Sequence, residues 1–151
     1  MDAFAQLSLP RRFDLDRSTI ERAYLSLAGA AHPDALGTPG LADDPSDASS
    51  SGLNRARQDL LDPESRATIL LALLGGPSKE SDRSLPDGFL MEMMDVREQM
   101  EAAAAARDAA ELDRWRDWAE EQRAGHARAV GELFKQVERE GPRPESLKAI
   151  R

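Results

Sequence analysis

The chain has no cysteine. Disulfides and Cys-ligated zinc or iron–sulfur centres are therefore excluded for this chain, and the composition fits a reducing compartment. Aromatic residues are scarce, at 5%. With few β-branched runs as well, a core must be built mainly from Leu, Ala, Met and Val, which suits helices. Basic residues are outnumbered, 20 Lys+Arg against 28 Asp+Glu, for a net charge of −8. Such a chain repels phosphate backbones, and no local basic patch offsets the repulsion, so no nucleic-acid partner is expected. No apolar run approaches the ~20 residues of a membrane-spanning helix. Met1-Asp2-Ala3-Phe4 lacks the basic start and apolar stretch of a signal peptide. A soluble, cytoplasmic protein without a membrane partner is expected.

Catalytic chemistry is also thinly supplied. The histidines are His32 and His126. There is no Gly-rich phosphate loop and no G-x-S-x-G motif. Pro33 separates His32 from Asp34, and no Ser or Lys nearby stands out as a nucleophile. His126 has no partner at metal-ligand spacing. No enzyme activity, metal or cofactor is expected.

What the chain does have is helix punctuation. Phe4, Leu7 and Leu9 mark a short helical turn ended by Pro10. Asp16 is a candidate N-cap, with Leu15 and Ile20 placed as a hydrophobic staple. Ser18 to Glu21 offers a competing capping box. Ile20, Tyr24 and Leu27 then share one helical face as far as His32, which Pro33 should make the last helical residue. Gly, Pro, Asp and Ser dominate from Gly37 to Gly52, which reads as a solvated loop. A helix from about Leu53 to Leu61 places Leu53, Ala56 and Leu60 on one side. Asp62 caps the next, with Pro63 at its first position and Gly75-Gly76-Pro77 as its stop. After a polar linker, Asp87 caps a long helix over 88–106. Asp108 caps another, which runs to Glu140 and stops at Gly141-Pro142. A last short helix begins near Pro144. The organisation is all-α, with units at 1–76 and 87–151 joined by a linker at 77–86.

The helix after Asp87 carries an apolar excess. At 100° per residue, Phe89, Met93, Val96, Met100 and Ala103 form a seam with heptad-like spacing. Leu90, Met91 and Met94 fall off that seam, beside Asp95 and Glu98. They are either covered by a third helix or form a partner-docking patch, for which adaptable Met side chains with an acidic border are suited. Trp115 and Trp118 read as core anchors on the following helix.

The order helix, His32-Pro33-Asp34, polar loop, helix resembles a J-domain. Phe4, Leu7, Leu9-Pro10, Phe13-Asp14-Leu15-Asp16, Tyr24 and Leu27 resemble the start of the HscB (Jac-type) co-chaperones of iron–sulfur cluster assembly. So do Asn54-Arg55-Ala56, Leu60-Leu61-Asp62-Pro63 and the segment from Arg66 to Gly75. Most specific is Phe89-Leu90-Met91-Glu92-Met93-Met94-Asp95-Val96-Arg97-Glu98, which is similar to that family's Phe-Leu-Met-Glu signature. The resemblance implies an N-terminal J-domain hairpin and a C-terminal antiparallel helical bundle that holds the scaffold. It implies that His32, Pro33 and Asp34, with Arg17 and Arg22, contact a DnaK/HscA-type ATPase chaperone and stimulate its ATP hydrolysis. It implies that Leu90, Met91, Met94, Asp95 and Glu98 bind an IscU-type scaffold, the same residues that fall off the seam.

Three departures accompany the resemblance. Residues 25–34 contain no Lys or Arg, and residues 1–62 hold 6 Arg against 10 acids, a net −4. Ala102 stands where the family has an acidic scaffold contact. The family's last helix continues well beyond the equivalent of Leu147 to Arg151, which suggests a truncated product or an incomplete bundle. The departures motivate two alternatives: an interaction protein that binds a scaffold without stimulating ATPase, or a general J-domain co-chaperone for unfolded clients. The second is disfavoured by the lack of a Gly/Phe-rich region.

Overall fold

The computed structural model describes residues 1–30 and 50–151. These residues form seven helices and no strand: α1 Ala3–Gln6, α2 Arg17–Ala30, α3 Ser50–Leu61, α4 Pro63–Leu73, α5 Phe89–Ala106, α6 Ala109–Glu140 and α7 Pro144–Ile150. The expected all-α class is observed. Packing divides the chain into two units, Met1–Pro77 with Gly131–Arg151, and Ser78–Val130.

In the first unit, α1 and α2 pack on α3, α3 on α4, and α4 on α7. The core takes Phe4 and Leu7 from the N-terminal turn, Ile20 from α2, Leu53, Ala56 and Leu60 from α3, and Leu70 and Leu71 from α4. Phe134, Val137, Leu147 and Ile150 from the C-terminal stretch complete it. The boundaries follow local chemistry. Asp16 caps α2: its carboxylate accepts from the Thr19 N–H at 2.8 Å and from the Ser18 and Thr19 hydroxyls at 2.6 and 2.7 Å. The competing box at Ser18 is not used. Asp62 caps α4 by accepting from Ser65 N at 2.9 Å, with Pro63 behind it. Leu53 is not the first residue of α3. The helix already includes Ser50, and Asn54 Nδ2 donates to the Ser50 carbonyl at 2.8 Å.

Two consecutive glycines end α4 for different reasons. Gly75 sits at φ +74°, the left-handed state that closes a helix without Cβ strain. Its N–H bonds to Ala72 O at 3.1 Å, and that of Gly76 to Leu71 O at 2.9 Å. A Cβ on Gly76 would come within 2.3 Å of Leu71 Cδ1.

The second unit contains α5 and residues 109–130 of α6. Asp87 is not the cap of α5. Gly88 holds that position at φ +79°, without a side-chain cap bond, because the left-handed turn itself redirects the chain into the helix. Asp108 does cap α6, accepting from Glu111 N at 3.0 Å. Between Ser78 and Val130 only Ala103 is buried. Met93 and Val96 of the expected seam are half-buried, but Phe89 and Met100 remain 36% and 39% exposed. One facing helix cannot cover the margins of a seam built from large side chains. Trp115 and Trp118 meet edge to face at 5.5 Å, both half-buried.

Candidate functional site

Two surfaces contain the residues singled out from sequence. His32, Pro33 and Asp34, with the proposed end of α2 and residues 37–49 of the expected loop, lie outside the described residues, whereas residues 50–52 of that loop are helical and open α3. Arg17 and Arg22 are exposed on α2. Neither guanidinium is simply free. Arg17 Nε lies 3.9 Å from the Glu21 carboxylate. Arg22 donates to the Ser18 carbonyl at 3.2 Å and to Thr19 Oγ1 at 3.3 Å. Leu25, one turn on from Arg22, is 65% exposed.

The face of α2 that carries Glu21 and Tyr24, beside Arg17, is tied to α3. Arg57 makes a two-pronged bond to Glu21, at 2.6 and 2.7 Å. Its guanidinium also lies over the Tyr24 ring, 5.2 Å from the centroid, and Tyr24 donates its hydroxyl to Asn54 Oδ1 at 2.8 Å. The bond from Arg57 holds the Glu21 carboxyl below its usual range and raises Arg57 in turn. This cluster fixes how the hairpin presents α2. The pairing of Tyr24 with Asn54 leaves no trace in the sequence, because no periodicity links residues 30 apart.

Arg66, which opens the family-like segment on α4, has a structural role that the motif does not announce. It is buried at 8% exposure and donates to the carbonyls of Phe13 and Leu15, both at 2.8 Å. Burial pushes its pKa down, against the opposing pull of Asp62 and Asp14, yet a guanidinium remains protonated. It therefore anchors the strand of chain that leads into the Asp16 cap. The signal was a lone Arg in an apolar helix, which a periodic reading counts as an interruption.

The second surface is one face of α5. Leu90, Met91 and Met94 are 61%, 72% and 62% exposed, and Asp95 and Glu98 are exposed beside them. Among the described residues neither carboxylate has an ion-pair partner, whereas Arg97 on the next strip of the helix is engaged by Glu101 at 2.7 Å. Three large apolar side chains in water, bordered by carboxylates, have the composition of an adaptable docking surface. No third helix within the unit covers them. Among the described residues no cluster of His, Cys, Asp or Glu is arranged to hold a metal ion, and no helix is long and apolar enough to cross a membrane.

Comparison with known proteins gives this geometry a family. Residues 85–143, which include the α5 face, match the family model described as the HSCB C-terminal oligomerisation domain. The chain is 35% identical over 133 residues to the co-chaperone protein HscB homolog of Burkholderia thailandensis, an alignment spanning 87% of this chain and 76% of that protein. It is 37% identical over 112 residues to the homolog of Paraburkholderia phymatum, spanning 73% and 64%. Among solved structures, the chaperone HscB from Vibrio cholerae superposes with a TM-score of 0.68 at 27% identity, covering 99% of this chain and 91% of that one. Human co-chaperone HscB gives 0.72 at 23% identity, covering 99% and 74%, a likeness of fold alone. The chain belongs to the HscB family of co-chaperones.

Proposed function

We propose that this protein assists iron–sulfur cluster assembly by bringing an IscU-type scaffold to a DnaK/HscA-type chaperone and stimulating that chaperone's ATP hydrolysis, itself hydrolysing nothing. The observation that carries the reading is the α5 face: Leu90, Met91 and Met94 stand in water beside Asp95 and Glu98, within the stretch matched by the family model. Burial of those side chains under a partner supplies affinity, and the carboxylates supply orientation. In this reading His32, Pro33 and Asp34 form the chaperone contact, with Arg17 and Arg22 beside it, and the protein works in the cytoplasm.

The test has two arms. Scaffold affinity is measured for the parent chain and for Leu90→Ala/Met94→Ala, with helicity followed by circular dichroism. Retained helicity with affinity weakened by roughly a hundredfold supports the docking role, at about 1.5 kcal/mol for each truncated side chain. Unchanged affinity removes it. Chaperone ATPase is then measured with the parent and His32→Gln chains, and equal stimulation by both rejects the chaperone contact.

A second reading is favoured by the state of the α2 cations. Arg17 is drawn toward Glu21, and Arg22 donates back to its own helix, in a region of net negative charge. Steering toward an acidic chaperone surface is correspondingly weak. An interaction protein that binds the scaffold without stimulating ATPase would show the first effect and lack the second.

A further inference from the structure

The five methionines are Met1, Met91, Met93, Met94 and Met100, and no thiol in the chain competes with them for oxidants. Met91 and Met94 are 72% and 62% exposed, three residues apart on the α5 docking face. Met93 lies on the seam side and is half-buried, and Met100, also on the seam side, is 39% exposed. Two adjacent thioethers are thus open to water where a partner would sit, with a sheltered one between them as an internal comparison. Oxidation of methionine follows access to the sulfur and turns a flexible apolar side chain into a polar one.

We infer that Met91 and Met94 are a reversible oxidation site that switches the docking face off, an inference that rests on the scaffold-binding reading above. The oxidant is a hydroperoxide. A sulfur lone pair attacks the terminal peroxide oxygen, an S–O bond forms as the O–O bond breaks, and the sulfur gives up two electrons. The transferred oxygen loses its proton and the leaving oxygen takes one up, so hydrogen peroxide yields a sulfoxide and water. A thiol-dependent sulfoxide reductase reverses the step, with two thiols oxidised to a disulfide and the oxygen released as water.

The surroundings decide what the sulfoxide does. Its oxygen is a strong acceptor that needs a donor. Asp95 and Glu98, when ionised, are acceptors only, and Arg97 already donates to Glu101. The sulfoxide must keep its water, so covering it with an apolar partner surface leaves it unsatisfied.

The test uses the full chain and an IscU-type scaffold protein. After graded hydrogen peroxide, oxygen uptake at each methionine is read by peptide mass spectrometry, helicity by circular dichroism and scaffold affinity by calorimetry. Met91 and Met94 should take up oxygen before Met93, with helicity retained and affinity weakened roughly tenfold or more. Treatment with sulfoxide reductase and dithiothreitol should restore it. Met91→Leu/Met94→Leu, from whatever starting affinity, should hold that affinity through the same peroxide treatment, and Met100→Leu should protect nothing. The inference is overturned if Met93 reacts as fast as its neighbours, if affinity survives oxygen on both sulfurs, or if the double variant loses affinity as the parent does. A parent chain that never binds scaffold overturns the docking reading and the switch with it. The order of oxidation, read without scaffold, tests the accessibility of the sulfurs separately from scaffold binding.

Discussion

Phe13 and Phe134 stack at 5.3 Å between ring centroids with planes 19° apart, 121 residues from one another in sequence. The Arg66 guanidinium lies on the same Phe13 ring, 5.5 Å from its centroid. The residues just before the Asp16 cap are therefore set by contacts from α4 and from the last turns of α6. The hairpin that presents α2 is built partly from the far end of the chain.

Two glycines in α6 should respond oppositely to the same change. Gly125→Ala meets only the flexible end of Arg128, at 3.9 Å. It should raise stability by about 1 kcal/mol, the usual gain of Ala over Gly inside a helix. Gly131→Ala places a Cβ 3.3 Å from two Phe13 ring carbons and should give no gain, or a loss, because the stacked ring must shift. Urea unfolding of the two variants checks this, and equal stabilisation by both would refute the close approach.

Arg66→Ala should destabilise the chain by roughly 2–4 kcal/mol. It removes two charge-assisted bonds and leaves the Phe13 and Leu15 carbonyls without their donor. Arg66→Lys should recover only part of that loss: both bonds come from Nη1 at the tip of the guanidinium, and a more strongly hydrated ammonium cannot lie flat on the Phe13 ring as the guanidinium does. Thermal unfolding of both variants measures the difference.

Arg107 ends α5 at φ +53°, a left-handed state unfavourable for a residue with a Cβ. Its N–H bonds to Ala104 O, and Asp108 N–H to Ala103 O, each at 3.1 Å, the pairing that a glycine usually provides. Arg107→Gly should therefore stabilise the α5–α6 turn by roughly 0.5–1 kcal/mol, after the larger entropy of the unfolded glycine is allowed for. Amide exchange at Ala103 to Asp108 should slow.

Acid should loosen the α2–α3 hairpin. Asp16 is held well below the usual carboxylate range by the Ser18 and Thr19 hydroxyls, and then by the Thr19 N–H. Glu21 is lowered by its bond to Arg57. Both carboxyls are depressed on folding, so their contribution is complete above the unfolded values near pH ~4 and is lost as pH falls through the folded ones. Helicity followed from pH 7 to 2 should drop less in Asp16→Asn, which keeps an acceptor and does not titrate. An identical acid profile would contradict the assignment.

Much of this molecule is local, and the sequence by itself determined those parts. Asp16, Asp62 and Asp108 announce helix starts, and Gly75 and Gly141 announce stops, because capping and left-handed turns depend on residues a few positions apart. The off-seam position of Leu90, Met91 and Met94 follows from helical periodicity alone. Three-dimensional packing decided the rest. Gly88 replaced Asp87 as the start of α5 through a backbone state that a cap rule does not see. Glu21 found Arg57, and Arg66 and Phe134 both found Phe13, through contacts dozens of residues apart that leave no periodic trace. Whether an apolar face is covered was also beyond the pattern. The sequence placed Leu90, Met91 and Met94 on one side of a helix, but exposure depends on whether another element arrives to cover them, and within their unit none does.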